Sequence, residues 1–277
     1  MSDASSAHEQ VEFSTTMDTT SVERDHVLEA INVSQTYQTS DGVIRALSSV
    51  TLQIEAGEFV SLVGPSGCGK STLLNVMAAL LRPTSGEVRY RGRPHTRPRA
   101  EFGVMFQAPI LLPWRTLEAN VRLPGEILGL PEEILSARVE EVLEMTGLAD
   151  FRTKYPWELS GGMAQRTALC RLLASDPEIL LLDEPFGALD EFTRESLNNE
   201  LLRIWSKTTK TALFVTHNIG EAVYMSDRVV VMTPRPGMVA DVLTVPLSRP
   251  RHAALLRDRA YLDMVFEIRK MLGVSTT

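Results

Sequence analysis

At 277 residues, 44% hydrophobic and with a formal net charge of −7, the chain is long enough to bury a substantial core and carries no overall positive field for nucleic acid. Its two cysteines, Cys68 and Cys170, stand far apart with no metal-ligand spacing, which suits a reducing compartment. No apolar run approaches the roughly 18 to 20 residues that cross a bilayer.

In chain order, residues 1–25 are rich in Ser, Thr, Asp and Glu, with no basic stretch leading into an apolar one, so a disordered polar tail is expected and not a secretory signal. Between Val27 and Ile54 short segments alternate apolar and polar residues around the turn-like Thr39-Ser40-Asp41-Gly42, which predicts antiparallel strands. Residues 58–63 predict an apolar strand, a glycine-rich turn follows, and residues 71–81 carry helical spacing. The six arginines set among prolines and glycines over 82–99 read as the solvated rim of a hairpin, because Tyr90 is the only aromatic interleaved with them. Another short strand is expected over 102–106. From 117 to 148 the pattern turns helical, with Ile134, Val139, Val142, Leu143 and Met145 clustering on one face, which predicts a small helical subdomain. Strands near 179–182, 212–216 and 228–232 then alternate with helices near 161–174 and 194–207, the rhythm of a parallel α/β sheet. Residues 249–270 mix basic and apolar side chains and read as a helix packed on the protein or on a second copy.

Chemistry enters at Gly64-Pro65-Ser66-Gly67-Cys68-Gly69-Lys70-Ser71, set between a predicted strand and helix. Two glycines bracketing four residues, then Lys and Ser, let backbone N–H groups and a helix N-terminus point at phosphate oxygens. Lys70 supplies a charge to the β and γ phosphates, Ser71 offers Mg²⁺ a hydroxyl, and Thr72 follows within reach of the nucleotide. Cys68 has no histidine base in this pattern and reads as a spacer that contributes its backbone. The apolar strand Ile179-Leu180-Leu181-Leu182 ends in Asp183-Glu184, acids that would face the ligand crevice of an α/β sheet. Asp183 suits the Mg²⁺ shell and Glu184 suits polarising the water that attacks a γ-phosphate.

Leu159-Ser160-Gly161-Gly162-Met163-Ala164-Gln165-Arg166 closely resembles the signature of ABC ATPases, and it precedes the Asp-Glu strand in the order and at the spacing that the family uses. The resemblance runs from about Val27 to Gly237. It implies a P-loop NTPase ABC ATPase core with an antiparallel β subdomain and a helical subdomain, residues 26–240 with the helical part at about 108–176, and a C-terminal helical extension over 241–277. Tyr37 then resembles the aromatic that stacks on adenine, and Gln107 the Q-loop glutamine that senses Mg²⁺ and the γ-phosphate. Ala188-Leu189-Asp190 is similar to the D-loop, and His217 to the switch histidine. Ala164 and Asn218 depart from the commonest residues at their positions. The resemblance further implies a head-to-tail pair in which Ser160, Gly161 and Gly162 of one copy close on ATP held by the other. Permease subunits, a solute-binding protein reached through them and a peripheral place on the cytoplasmic face of the membrane are implied with it. Softer likenesses, Pro109-Ile110-Leu111-Leu112-Pro113-Trp114 and Pro234-Arg235-Pro236-Gly237 among them, resemble the nitrate, sulfonate and taurine importer group. DNA-repair or translation ATPases built on the same cassette are the alternative; they usually carry long coiled-coil inserts or two cassettes, and neither occurs here.

Overall fold

The computed structural model describes residues 26–40, 42–208 and 210–273; the polar tail expected over 1–25 lies outside them. In chain order the elements are β1 (His26–Thr39), β2 (Gly42–Glu55), β3 (Phe59–Val63), α1 (Lys70–Met77), β4 (Ser85–Tyr90), β5 (Arg93–Pro94) and β6 (Phe102–Met105). They continue with α2 (Leu117–Leu128), α3 (Glu132–Met145), α4 (Gly161–Ala174), β7 (Ile179–Asp183), α5 (Glu191–Thr208) and β8 (Thr211–Val215). The chain closes with α6 (Ile219–Met225), β9 (Arg228–Met232), β10 (Val239–Thr244) and α7 (Arg259–Met271).

Two sheets form. One has the order β2-β1-β4-β5 with antiparallel pairing throughout, and the other has the order β10-β9-β3-β8-β7-β6, parallel except where β10 pairs with β9. The inner strands of the larger sheet are apolar at nearly every position because both faces are covered. Phe59, Leu180, Leu182, Phe214 and Val229 enter a core with α2 to α7, while Val60, Leu62, Leu181, Leu213 and Val230 enter a second core with α1 and the antiparallel sheet. Alternate residues of each strand point to opposite faces, so one run of sequence builds both cores.

Several boundaries differ from the expectation. The spacing expected to be helical as far as 81 stops at Met77: Ala79 takes φ 54°, and the N–H groups of Leu80 and Leu81 both turn back to the Asn75 carbonyl, at 2.9 and 3.1 Å. Ile134, expected on one face with Val139, Val142, Leu143 and Met145, is 46% exposed. The stripe at i, i+4, i+7 and i+8 runs instead through Leu135, Val139, Val142 and Leu143, which is the set a helix presents to one neighbour. The arginine-rich stretch 82–99 forms the β4–β5 hairpin, turning at Arg91 and Gly92, both at positive φ. The boundary expected at 240/241 falls inside β10, and α7 follows, burying Tyr261, Met264 and Ile268. Among the described residues no helix is long and apolar enough to cross a membrane.

Candidate active site

Four segments leave the C-terminal ends of neighbouring parallel strands and meet along one rim: 64–71 after β3, Thr216 and His217 after β8, Asp183 and Glu184 at the end of β7, and Gln107 after β6. This is the edge at which open α/β sheets bind ligands. A cleft of about 800 Å³ lies there, lined by Ser66, Gly67, Gly69, Lys70, Ser71, Thr72, Gln107, Glu184 and His217, with Tyr37, Gln38, Thr39, Ile44, Ala46 and Arg235 on its far wall.

The loop after β3 curls around the Lys70 ammonium, which is 6% exposed and donates to the carbonyls of Gly64 (2.9 Å) and Pro65 (3.2 Å). An ammonium has three N–H donors, so a third remains for an anion. Gly69 stands at φ 105°, and a Cβ there would lie 2.7 Å from Leu47 Cδ2 and 2.9 Å from the Ala46 carbonyl, so only glycine starts α1 in this place. Cys68 does more than space the loop. Its side chain is fully buried in the second core, and burial pushes its thiol up, away from the reactive thiolate.

Ser71 Oγ donates to Asp183 Oδ1 at 2.9 Å. Burial pushes the Asp183 carboxyl up, partly offset by the Ser71 hydrogen bond; Glu184 beside it adds to the rise and Lys70 opposes it. Hydroxyl, carboxylate and the Gln107 amide are all hard oxygen donors, a set that fits Mg²⁺ holding several waters and phosphate oxygens. Among the described residues no group of three His, Cys, Asp or Glu able to hold a metal ion occurs.

Glu184 sits at φ 45°, uncommon for a residue with a side chain and costing about 1 kcal/mol. Its N–H bonds the Val215 carbonyl at 2.9 Å, tying β7 to β8 at the rim, and its Oε2 stands 3.1 Å from His217 Nδ1. Tyr37 is 37% exposed at the mouth of the cleft, its hydroxyl 3.4 Å from Thr72 Oγ1.

Ser160, Gly161, Gly162 and Asp190 are not brought to this cleft. Ser160 caps α4, accepting from Met163 N at 3.3 Å, and Asp190 caps α5, accepting from Thr193 N at 3.0 Å. The two caps are neighbours, since a Cβ on Gly162 would lie 3.0 Å from Thr193 Cγ2. They form a second, exposed polar surface on the same chain. Asn218, the departure from the commonest residue, caps α6 by accepting from Glu221 N at 3.1 Å, a role in which Asn and Asp are equivalent.

Sequence reasoning missed the residues that hold the segment after Gln107. Gln165 Nε2 donates to the Gln107 carbonyl at 2.9 Å and also to that of Pro185. Arg171 donates to the carbonyls of Pro109 (2.8 Å) and Ile110 (2.7 Å), and the buried Asn120 accepts from Leu112 N at 2.7 Å. The helix that opens on Ser160 therefore grips the backbone that carries Gln107. The cleft lining at Ile44 and Arg235 was missed as well; the turn beside Tyr37 was the available signal for the first, and Arg235 stood out only as part of Pro234-Arg235-Pro236-Gly237, with nothing to place it at the cleft.

Comparison with known proteins matches residues 47–187 to a family model described as ABC transporter. An uncharacterized ABC transporter ATP-binding protein of Methanocaldococcus jannaschii is 44% identical over 247 residues, covering 89% of this chain and 90% of the relative. A taurine import ATP-binding protein, TauB, of Roseobacter denitrificans is 43% identical over 78% of this chain and 81% of its own length. An aliphatic sulfonates import ATP-binding protein, SsuB, of Bacillus anthracis is 44% identical over 79% of this chain and 86% of its own length. Among solved structures, the ATP-binding cassette MJ0796, a dimer in a post-hydrolysis state bound to ADP and Pi, superposes with TM-score 0.71 at 34% identity, covering 80% of this chain and all of that one.

Proposed function

This chain belongs to the ABC transporter ATP-binding family, and we propose that it is the ATP-hydrolysing subunit of an importer for nitrate, a sulfonate, taurine or a related small solute. The observation that carries the reading is the convergence of Lys70, Ser71, Gln107, Glu184 and His217 on one cleft at the rim of the parallel sheet, with Asp183 bonded to Ser71. The protein binds and hydrolyses ATP; Tyr37 stacks on the adenine, and the backbone of 64–71, at the start of α1, receives the phosphates. Mg²⁺ held by Ser71, Asp183 and Gln107 would neutralise charge between the β and γ phosphates. Glu184 takes a proton from water as its oxygen bonds the γ-phosphorus and the bond to the ADP oxygen breaks. His217 orients Glu184 through Nδ1 and turns Nε2 toward the γ-phosphate.

Two copies act head to tail, each presenting Ser160, Gly161 and Gly162 to the nucleotide of the other, with Asp190 at the same contact. The separation of those caps from the cleft of their own chain supports this pairing. Residues 26–240 form the ATPase unit and 108–176 its helical part, where Trp114 and Ile127 are 71% and 75% exposed on a surface suited to permease subunits. The chain would then lie peripherally on the cytoplasmic face of the membrane, with a solute-binding protein reached only through the permease. A DNA-repair or translation role finds no support among the import proteins that the chain resembles.

Replacing Glu184 by Gln should leave Mg²⁺-ATP binding intact and lower phosphate release about 100-fold or more. An unchanged rate would remove Glu184 from proton transfer.

A further inference from the structure

Both neighbours of His217 are tied to Glu221, Thr216 through the partly buried carboxylate and Asn218 through the backbone N–H. Thr216 Oγ1 donates to Glu221 and accepts from Asn218 N at 3.0 Å, while Asn218 Oδ1 accepts from Glu221 N at 3.1 Å. From α5, Asn198 Nδ2 donates to the remaining carboxylate oxygen at 2.8 Å. Glu221 thus joins the residue before His217, the residue after it and the body of α5 in one closed net. Burial pushes its carboxyl up, and the bonds from Thr216 and Asn198 pull it part of the way back, so these two donors offset some of the cost of its removal from water.

The net is roofed by the C-terminal helix. A Cβ on Gly220 would stand 2.7 Å from Tyr261 Oη, so α7 rests on the first turn of α6 with no room for a side chain between them. Between α5, α6 and α7 a cavity of about 240 Å³ is lined by Glu191, Asn198, Asn218, Glu221 and Tyr261, and it reaches the cap of α5 beside Asp190.

We infer that Glu221 is a positioning residue for His217, and that α7 bears on ATP hydrolysis through it. The inference rests on the proposal that His217 contacts the γ-phosphate. Glu221 touches no part of the cleft itself; it sets the path of the backbone at 216–218 and so the place of the imidazole against Glu184. Small displacements of a catalytic group cost rate more than they cost substrate binding.

The test is single-turnover release of phosphate from Mg²⁺-ATP by the full chain, which reads residual rates, with ATP affinity measured separately. Glu221→Ala should slow turnover about tenfold with affinity within about twofold. Glu221→Gln, which keeps an acceptor for Thr216, should recover most of the rate, and Thr216→Val should reproduce the loss from the other end of the bond. Tyr261→Ala should give a smaller loss of the same kind. In a His217→Ala background the change at Glu221 should cost nothing further, because its effect is spent through the imidazole. Equal losses in both backgrounds, or wild-type turnover in Glu221→Ala and Thr216→Val, would overturn the inference. Wild-type turnover in His217→Ala alone would instead overturn the reading of His217, and this inference with it.

Discussion

Asp183 has a half-buried carboxylate, proposed above to hold a cation, and its burial has a measurable cost. Its folded-state pKa is raised above the ordinary 3.8, so the folded chain keeps the proton longer than the unfolded one. The penalty is absent below the unfolded pKa and grows as pH rises through the folded one, so at neutral pH it is fully expressed. Asp183→Asn should raise the Tm of the ligand-free chain by roughly 2 °C and remove the stabilisation that Mg²⁺ adds with ATP; calorimetry showing a lower Tm without ligand would contradict this. Cys68 tests the loop in the opposite sense. Its sulfur is core and not chemistry, so Cys68→Ala should lose about 1 kcal/mol of stability in urea while phosphate release stays within about twofold; loss of hydrolysis by a folded variant would be the adverse result. Lys70 and Glu184 were legible in the cleft because each stands in a short motif, Lys70 among its glycines and Glu184 at the end of an apolar strand. Gln165, Arg171 and Asn120 were not, because each acts by bonding backbone in another segment, and no local pattern records which carbonyl a side chain will find.

At the scale of elements, the turn between β9 and β10 supports the phosphate loop. Gly237 N donates to the Ala46 carbonyl at 2.9 Å, Ser48 N donates to the Gly237 carbonyl at 3.0 Å, and a Cβ on Gly237 would lie 2.0 Å from the Cys68 carbonyl. Gly237→Ala must therefore move either the turn or the loop. We expect a loss of about 1 to 3 kcal/mol in chemical denaturation together with weaker ATP binding, whereas a variant unchanged in both would show that the contact is slack. The same scale explains what the sequence pattern conveyed. Strands β3, β7, β8 and β9 announce themselves because burial on both faces makes them almost wholly apolar. Helix α6 was missed because seven residues hold too few turns for a period, and its Asn218 cap followed a histidine already read for another purpose. Strand β10 was missed because its residues are mostly exposed or partly exposed at the sheet edge, leaving alternation without contrast. The early end of α1 was hidden by the apolar residues Leu80 and Leu81, which continue the composition of the helix but not its geometry.

For the whole molecule, the order of motifs along the chain conveyed the parallel sheet and the rim, while two separate polar surfaces on one chain were implied only by the family resemblance. In three dimensions the cleft gathers Lys70, Glu184 and His217 while Ser160 and Asp190 cap helices elsewhere. Helix α4 links the two surfaces, since it opens on Ser160 and reaches the backbone of Gln107 through Gln165. On the proposed pairing, a contact made by a second copy at Ser160 would therefore bear on the same helix that holds the backbone of Gln107. The central proposal is that hydrolysis occurs at sites composed of two copies. Phosphate release from an equimolar mixture of Lys70→Ala and Ser160→Arg, each expected to be inactive alone, tests this most directly. A mixed pair contains one site with both defects and one with none, so activity should rise well above the sum of the separate variants. No rise on mixing, or full activity of Ser160→Arg alone, would contradict the account.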